Sequence, residues 1–228
     1  MSISIIIPVY NNSHFTQSCI NDLKKITVPN IDIAIVNNGS TDNTQEIINN
    51  ITKEDDRFWY HHNIENQYFA KACNKGFANS VGEYVCFLNN DIRIQSNHED
   101  WILQLVEACK DGSIVGPTAG ILGTDFHFLR HTDKIEPGNF YISAWCIMAL
   151  RKTLEKLIEP GEEGPFNSSF GLFFEDTHAS FLAKQLNIPL KIVPVPVVHI
   201  GHATAKKLNM GQLYTNAHKI FSKKWTSP

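Results

Sequence analysis

Cysteine is scarce and poorly spaced for pairing. The five residues Cys19, Cys73, Cys86, Cys109 and Cys146 are odd in number, widely separated, and contain no CxxC. That argues against a disulfide framework or a structural zinc site and for buried reduced thiols. Glycine and proline, 13 and 10 in 228 residues, are too few for a collagenous or low-complexity chain. No sign of charge dominates: 20 Lys and Arg against 23 Asp and Glu leave a formal net charge of −3. No basic field for tight, nonspecific nucleic-acid binding results. No apolar run approaches the roughly 20 residues that span a bilayer. The opening Met1-Ser2-Ile3-Ser4 lacks the positive segment of a signal peptide. The G-x-G-x-x-G and G-x-x-x-x-G-K-[ST] turns are absent too, which weighs against a dehydrogenase and a P-loop ATPase.

What is present is a chain 43% hydrophobic and 19% charged, the composition of a folded globular protein. Its first half alternates short apolar strands with helices of about 10–15 residues. Strands are expected at Ile3–Ile7, stopped by Pro8, at Ile31–Val36, at Arg57–His61 and at Tyr84–Leu88. Helices are expected at His14–Ile26 with Ser13 as cap, from a Thr41 or Asp42 cap through Ile51, and at Tyr68–Ser80. This βαβ alternation predicts an α/β fold with a mostly parallel central sheet flanked by helices. The second half is mixed. Helices are expected at Trp101–Cys109, Asp176–Leu186 and Leu213–Trp225, and extended segments at Ile114–Gly116, Phe140–Leu150 and Lys191–His199. Gly123–Gly138 reads as a loop and Pro160–Gly171 as a flexible crossing. With no repeat and no clean linker, one domain over 1–228 is the simplest organisation, with an α/β first half (1–95) and a mixed second half (96–228).

In an open parallel sheet, ligands bind beyond the carboxyl ends of the strands. Three expected strands end in polar clusters there: Pro8-Val9-Tyr10-Asn11-Asn12, Asn37-Asn38-Gly39-Ser40-Thr41-Asp42 and Asn89-Asn90-Asp91. Any one of them is an ordinary turn. Three at successive strand ends suggest a site. Tyr10 offers a ring for a base, Asn37 or Asn38 an amide matching a uracil-like imide, and Asp91 a hard oxygen for Mg²⁺ or Mn²⁺.

These residues carry a resemblance. Ser4-Ile5-Ile6-Ile7-Pro8-Val9-Tyr10-Asn11 resembles the opening of family 2 glycosyltransferases, which have the GT-A fold. Val36-Asn37-Asn38-Gly39-Ser40-Thr41-Asp42 is similar to their V-D-[DN]-G-S-x-D motif. Asn66 to Gly76 resembles N-x-G-x-x-x-A-x-N-x-G. Leu88-Asn89-Asn90-Asp91 resembles the strand end that delivers D-x-D, Glu175-Asp176 the late "ED" motif, and Val197-Val198-His199 the late histidine strand. The likeness runs in register from residue 3 to about 202, and order and spacing make the combination specific. Asn37 and Asn89 stand where an Asp is usual, and Tyr68 replaces a Gly. The Asn37 and Asn89 departures remove charge but keep hydrogen bonding and oxygen ligation, and they occur in active relatives of the rhamnosyltransferase kind. His178 and Leu182 replace an Asp and an Arg after the "ED" pair, which bears on acceptor choice.

The resemblance implies an inverting, metal-dependent transferase. It would move a sugar from a nucleoside-diphosphate sugar, with uracil or thymine bases favoured, to an acceptor hydroxyl in surface-glycan assembly. It assigns donor contacts to Pro8, Tyr10, Asn37, Asn38, Asp42, Asn66, Asn74, Asn89 and Asn90. Mn²⁺ or Mg²⁺ would sit on Asp91 with His199 or His202, an order that stays open. Asp176 would be the general base, supported by Glu175. The acceptor would be a glycan or a lipid-linked sugar. Arg130, His131 and Asp133 are acceptor-contact candidates without a motif, and Lys206 and Lys207 candidates for closing over the diphosphate. The terminal helix, with Leu213, Ile220, Phe221 and Trp225 near three lysines, packs on the domain or touches a membrane. The location implied is cytoplasmic, with a peripheral place at the inner membrane face as the variant. Two other readings stay in view: a nucleotide-sugar-binding module without catalysis, and a sugar-1-phosphate nucleotidyltransferase.

Overall fold

The computed structural model describes residues 1–201 and 209–226. Its first half is built of β1 (Ile3–Val9), α1 (Ser13–Leu23), β2 (Ile31–Asn38), α2 (Thr44–Glu54), β3 (Phe58–Asn63), α3 (Tyr68–Asn79) and β4 (Tyr84–Leu88). Then come β5 (Ile92–Ile94), α4 (Ile102–Cys109), β6 (Ile114–Gly116), β7 (Ala119–Leu122), β8 (Phe128–Thr132), β9 (Asn139–Ile142) and β10 (Cys146–Leu150). The chain closes with α5 (Arg151–Glu155), a 3₁₀ turn at Ser168–Phe170, α6 (Glu175–Gln185), β11 (Leu190–Ile192), β12 (Val197–His199) and α7 (Met210–Thr226).

The central sheet runs β11-β6-β10-β4-β1-β2-β3. Only β10 is antiparallel to its neighbours, so the sheet is mostly parallel. Both halves of the chain contribute strands to it. Its strands are near-continuous apolar runs because helices cover both faces. Alternation along β1 divides the core. Ile3, Ile5 and Ile7 face α1, α2 and α4, while Ile6 faces α3. A third cluster, with Leu122, Phe126, Phe170, Phe174, Ala217 and Phe221, joins the β7–β8 hairpin to α6 and α7.

Several expectations need correction. Pro8 does not stop β1, which continues to Val9 beside β2. The β4 ladder has already ended at Ile6↔Phe87, so a residue without an N–H fits there. Ser13 is not a side-chain cap for α1; its backbone N–H donates to Asp42 Oδ2 at 3.0 Å. The expected loop at Gly123–Gly138 contains β8, whose exposed edge position gives it no hydrophobic alternation. Phe140–Leu150 is two strands in two sheets, parted by Ser143-Ala144-Trp145. Lys191–His199 likewise divides between β11 in the central sheet and β12, which pairs only with β5. Residues 160–171 are anchored: Asn74 on α3 bonds both the N–H and the carbonyl of Phe166, which is 2% exposed.

Candidate active site

β4 delivers Asn89-Asn90-Asp91 at its carboxyl end, and β5 follows at once. Antiparallel pairing of β5 with β12 sets His199 opposite Ile92. This long-range pair brings His199 Nε2 to 3.1 Å from Asp91 Oδ1 and 3.2 Å from Asn89 Nδ2. The imidazole lies flat on Trp145, with centroids 5.1 Å apart and planes 2° from parallel. Trp145 is itself held by Nε1–H donating to Thr118 Oγ1 at 2.7 Å.

Ser143-Ala144-Trp145 is the joint of the site. The Trp145 carbonyl accepts from Asn89 N–H at 2.8 Å, and Ala144 N–H donates to Asp176 Oδ2 at 3.0 Å. One turn therefore braces the strand end carrying Asp91 and the helix start carrying Asp176. Sequence reasoning missed it, because the turn holds no glycine or proline inside an apolar stretch. The other Asp176 oxygen accepts from Thr177 N–H at 2.7 Å. Phe173 and Phe174 before the acidic pair both have left-handed backbones, at φ 77° and 66°. Such strain in bulky residues persists only where the surroundings hold it, and it gathers at functional sites.

Burial raises the proton affinity of both acids. Desolvation pushes Asp176 up to about 6 against the pull of the Ala144 and Thr177 N–H groups. It raises Glu175 well above the usual carboxylate range, with the neighbouring Asp176 charge adding to the effect. Glu175 is 7% exposed, and among the described residues its Oε2 has no hydrogen-bond partner.

A cavity of about 490 Å³ joins these groups. Asn89, His199, Ser143, Trp145, Glu175 and Asp176 line it together with Phe69, Phe128, His131, Tyr141, Phe173, Phe174 and Tyr214. Of the candidates read from sequence, the cavity thus gathers Asn89, His199, Glu175, Asp176 and His131. Asp91 is 6% exposed beside it, and its main-chain carbonyl accepts from Ile200 N–H. Arg130 pairs instead with Glu136. His202, Lys206 and Lys207 lie outside the described residues.

The remaining Asn and Asp candidates at this sheet edge form hydrogen bonds within the protein. Asn37 donates to Gln45 and accepts from Ser40 N–H. Asn38 donates to Asn66 Oδ1 and the Tyr68 carbonyl, and accepts from Asn63 and Gln67. Asn66 Oδ1 also accepts from Tyr68 N–H at the start of α3. Asp42 accepts from Thr44 and from Ser13 N–H; against the cost of burial, these bonds hold its carboxyl below the ordinary range. Asn90 donates to Thr16 on α1. Pro8 lies within β1, and Tyr10, half-buried, follows its end. Asn11, also at this edge, ties the β1 and β2 loops by accepting from Thr41 and donating its N–H to Ser40.

His178 does not line the cavity. It is fully buried, with Nε2–H donating to Glu159 at 2.7 Å and Nδ1 accepting from Trp225 Nε1 at 3.0 Å. Its place in the fold is to tie α6 to α7.

The donor set, one carboxylate oxygen and one imidazole nitrogen, fits a divalent ion. Two ligands at about 2.1 Å and a right angle stand about 3 Å apart, as Asp91 Oδ1 and His199 Nε2 do. Among the described residues no cluster of three His, Cys, Asp or Glu gathers around one point. Among the described residues, Asp91 supplies one carboxylate and His199 one imidazole, with the Asn89 amide beside them.

Comparison with known proteins bears on the family and the fold. Over 139 residues the chain is 32% identical to the glycosyltransferase GlyG of Streptococcus pneumoniae, covering 61% of this chain and 42% of that protein. It matches the GlyA glycosyltransferase of the same organism at 36% identity, over 45% of this chain and 13% of that one. The chain thus spans less than half the length of these curated relatives. Its fold superposes on the Pyrobaculum calidifontis mannosyltransferase PcManGT, solved with GDP-Man and Mn²⁺. That match has a TM-score of 0.71 and 14% identity, over 99% of this chain and 64% of that one. S. aureus TarS with UDP follows at a TM-score of 0.56 and 15% identity, over 80% and 56%. The fold is therefore GT-A. The Glycosyl transferase family 2 profile matches residues 4–179, and the chain belongs to that family.

Proposed function

We propose that this chain transfers a glycosyl group from a nucleoside-diphosphate sugar to an acceptor hydroxyl by a single displacement, with inversion at the anomeric carbon. The observation that carries the reading is one cavity lined by both the Asn89–His199 end and the Glu175–Asp176 end, braced by Ser143-Ala144-Trp145. Asp91 and His199 would hold Mn²⁺ or Mg²⁺. When bound, the ion supplies Lewis-acid neutralisation of the departing diphosphate.

Asp176 takes the proton of the acceptor hydroxyl as its oxygen bonds to the anomeric carbon and the carbon–phosphate-oxygen bond breaks. Its raised proton affinity suits a base working near neutrality, and a positioned base contributes about 10²–10⁴-fold. The Ala144 and Thr177 N–H groups orient the carboxylate. Glu175, holding its proton, adds no second charge to repel that base. Trp145 fixes the plane of His199.

The amides of Asn37 and Asn38 are committed inside the protein, so a donor screen should not stop at uracil and thymine. GDP sugars belong in it, as the PcManGT complex suggests. The test measures nucleotide-sugar hydrolysis and thermal stabilisation, with and without Mn²⁺. One donor should stabilise the protein in an Mn²⁺-dependent way, and Asp91→Ala should lose that effect. Asp176→Asn should still bind the donor while turnover drops about 10²–10⁴-fold. An Asp176→Asn protein as active as the parent sinks the assignment. Donor binding with no turnover in the parent favours a binding module instead.

A further inference from the structure

Thr118 lies between β6 and β7, outside the lining of the cavity and outside the motifs read from the sequence. It holds the Ser143-Ala144-Trp145 turn at two points. Its main-chain carbonyl accepts from Ser143 N–H at 3.0 Å, which extends the β7–β9 ladder one step beyond Ala119↔Ile142. Its Oγ1 accepts from Trp145 Nε1–H at 2.7 Å. Gly116 permits this approach, since a Cβ there would stand 2.6 Å from the Cys146 carbonyl oxygen. The ladder bond fixes where the turn begins. The side-chain bond fixes the indole, which is 8% exposed and stacked on His199. The χ2 torsion of a tryptophan is broad, so a hydrogen bond at the far nitrogen of the ring selects one setting of its plane.

That plane matters for His199. Histidines that hold a metal ordinarily donate their second ring N–H to a carboxylate or carbonyl, which fixes the ring orientation. His199 Nδ1 makes no hydrogen bond among the described residues. The indole face takes the place of that bond, lying 2° from parallel with the imidazole. An imidazole nitrogen offers its lone pair in the plane of the ring. At a bond of about 2.1 Å, a tilt of about 30° carries the ligand position about 1 Å aside. Asp91 Oδ1 and His199 Nε2, 3.1 Å apart, share one ion when both aim at the same point.

We infer that Thr118 is a positioning residue for the Asp91–His199 pair: through the Trp145 indole it sets the plane of His199 and so the aim of Nε2. That the pair holds a cation rests on the transferase reading. That Thr118 sets the plane of His199 does not.

The experiment compares Thr118→Val, which matches the shape and cannot accept a hydrogen bond, with Thr118→Ser, which can, each in the full chain. The first readout needs no metal. In protein carrying ¹³C-labelled histidine, the His199 ring C–H resonances, assigned with His199→Gln, lie upfield under the indole face. Thr118→Val should move them toward the unstacked position, and Thr118→Ser should leave them near the parent values. The second readout is the Mn²⁺ dissociation constant, from the EPR signal of the free ion, alone and with UDP or GDP. Thr118→Val should weaken it about 10–100-fold, the range for partners that orient metal-holding histidines. Thr118→Ser should bind nearly as the parent does. A merely structural Thr118 would lower the melting temperature and move neither readout. In a Trp145→Phe background, which lacks the Nε1–H, Thr118→Val should weaken Mn²⁺ binding no further, because both substitutions remove the same bond. Unmoved His199 resonances in a folded Thr118→Val protein overturn the inference. So does a loss of Mn²⁺ affinity that recurs in full in the Trp145→Phe background. Should Thr118→Val not fold, Trp145→Phe decides the matter, and parent-like Mn²⁺ affinity in it is the overturning result. A parent that binds no Mn²⁺, with His199 resonances that still move in Thr118→Val, would sink the cation reading and leave the positioning of His199 standing.

Discussion

Asp176 and Glu175 are neighbours in sequence with different chemical fates. Both are desolvated, but two backbone N–H groups stabilise the Asp176 charge, whereas Glu175 Oε2 meets no donor among the described residues. The pair therefore separates into an ionisable base and a neutral partner. Two outcomes follow. With Asp176 pushed up to about 6, kcat/KM should fall tenfold per unit as pH drops below about 6, and level off above it. A pH–rate profile on the hydrolysed donor checks this. Glu175 keeps its proton in the folded state at pH values where the unfolded chain has released it, so unfolding releases a proton and stability falls as pH rises. Glu175→Gln removes that dependence. The melting-temperature difference between variant and parent should be smallest near pH 4 and grow in the variant's favour toward pH 8. A difference that does not change with pH would falsify the assignment.

At the scale of elements, the site depends on close approaches. The helix α3 lies on β1 and β2 at Gly76, where a Cβ would overlap Ile6 Cγ2 and stand 3.2 Å from Val36 Cγ2. Gly76→Ala should therefore cost about 1–3 kcal/mol by overpacking, despite the better helix propensity of Ala. Urea unfolding measures it; a stabilised variant would mean the helix shifts freely. The helices α6 and α7 are coupled differently, through a buried polar chain. Burial lowers the His178 proton affinity while Glu159 works against it. The ring stays neutral at neutral pH, with Nδ1 free to accept from Trp225. Of the apolar α7 residues whose spacing allows packing on the domain or membrane contact, Phe221 is in the third core cluster with Trp225 packed against it, while Ile220 is 39% exposed.

Across the whole molecule, all five cysteines are buried and unpaired, and burial pushes the Cys109 thiol up to about 12. Thiolate chemistry needs both exposure and ionisation. Iodoacetamide at pH 8 should leave the native protein unlabelled and add five groups once it is unfolded, as read by intact mass. Fast labelling of any one cysteine in native buffer would show local opening at that element. Among the described residues no helix is long and apolar enough to cross a membrane.

The legible parts of the fold were those decided by local burial. The runs of β1, β2 and β4 are apolar on both faces because helices cover both, and that pattern needs no partner to be read. The strand-end clusters and the Glu175-Asp176 pair were visible for a similar reason, since polar residues interrupt apolar runs there. The edge strand β8 was not legible, because an exposed strand carries no alternation. Nor was the break at Ser143-Ala144-Trp145, which contains no residue that forces a turn. Composition, order and spacing by themselves determined the sheet, its mostly parallel sense and the residue types available at its carboxyl edge. Only the tertiary structure decided which of them meet. It set His199 beside Asp91 through β5–β12 pairing, spent Asn37, Asn38 and Asp42 on internal bonds, and brought Tyr214 from the far end of the chain to the cavity. Those outcomes rest on pairings between residues far apart in sequence, and local patterning carries no record of them.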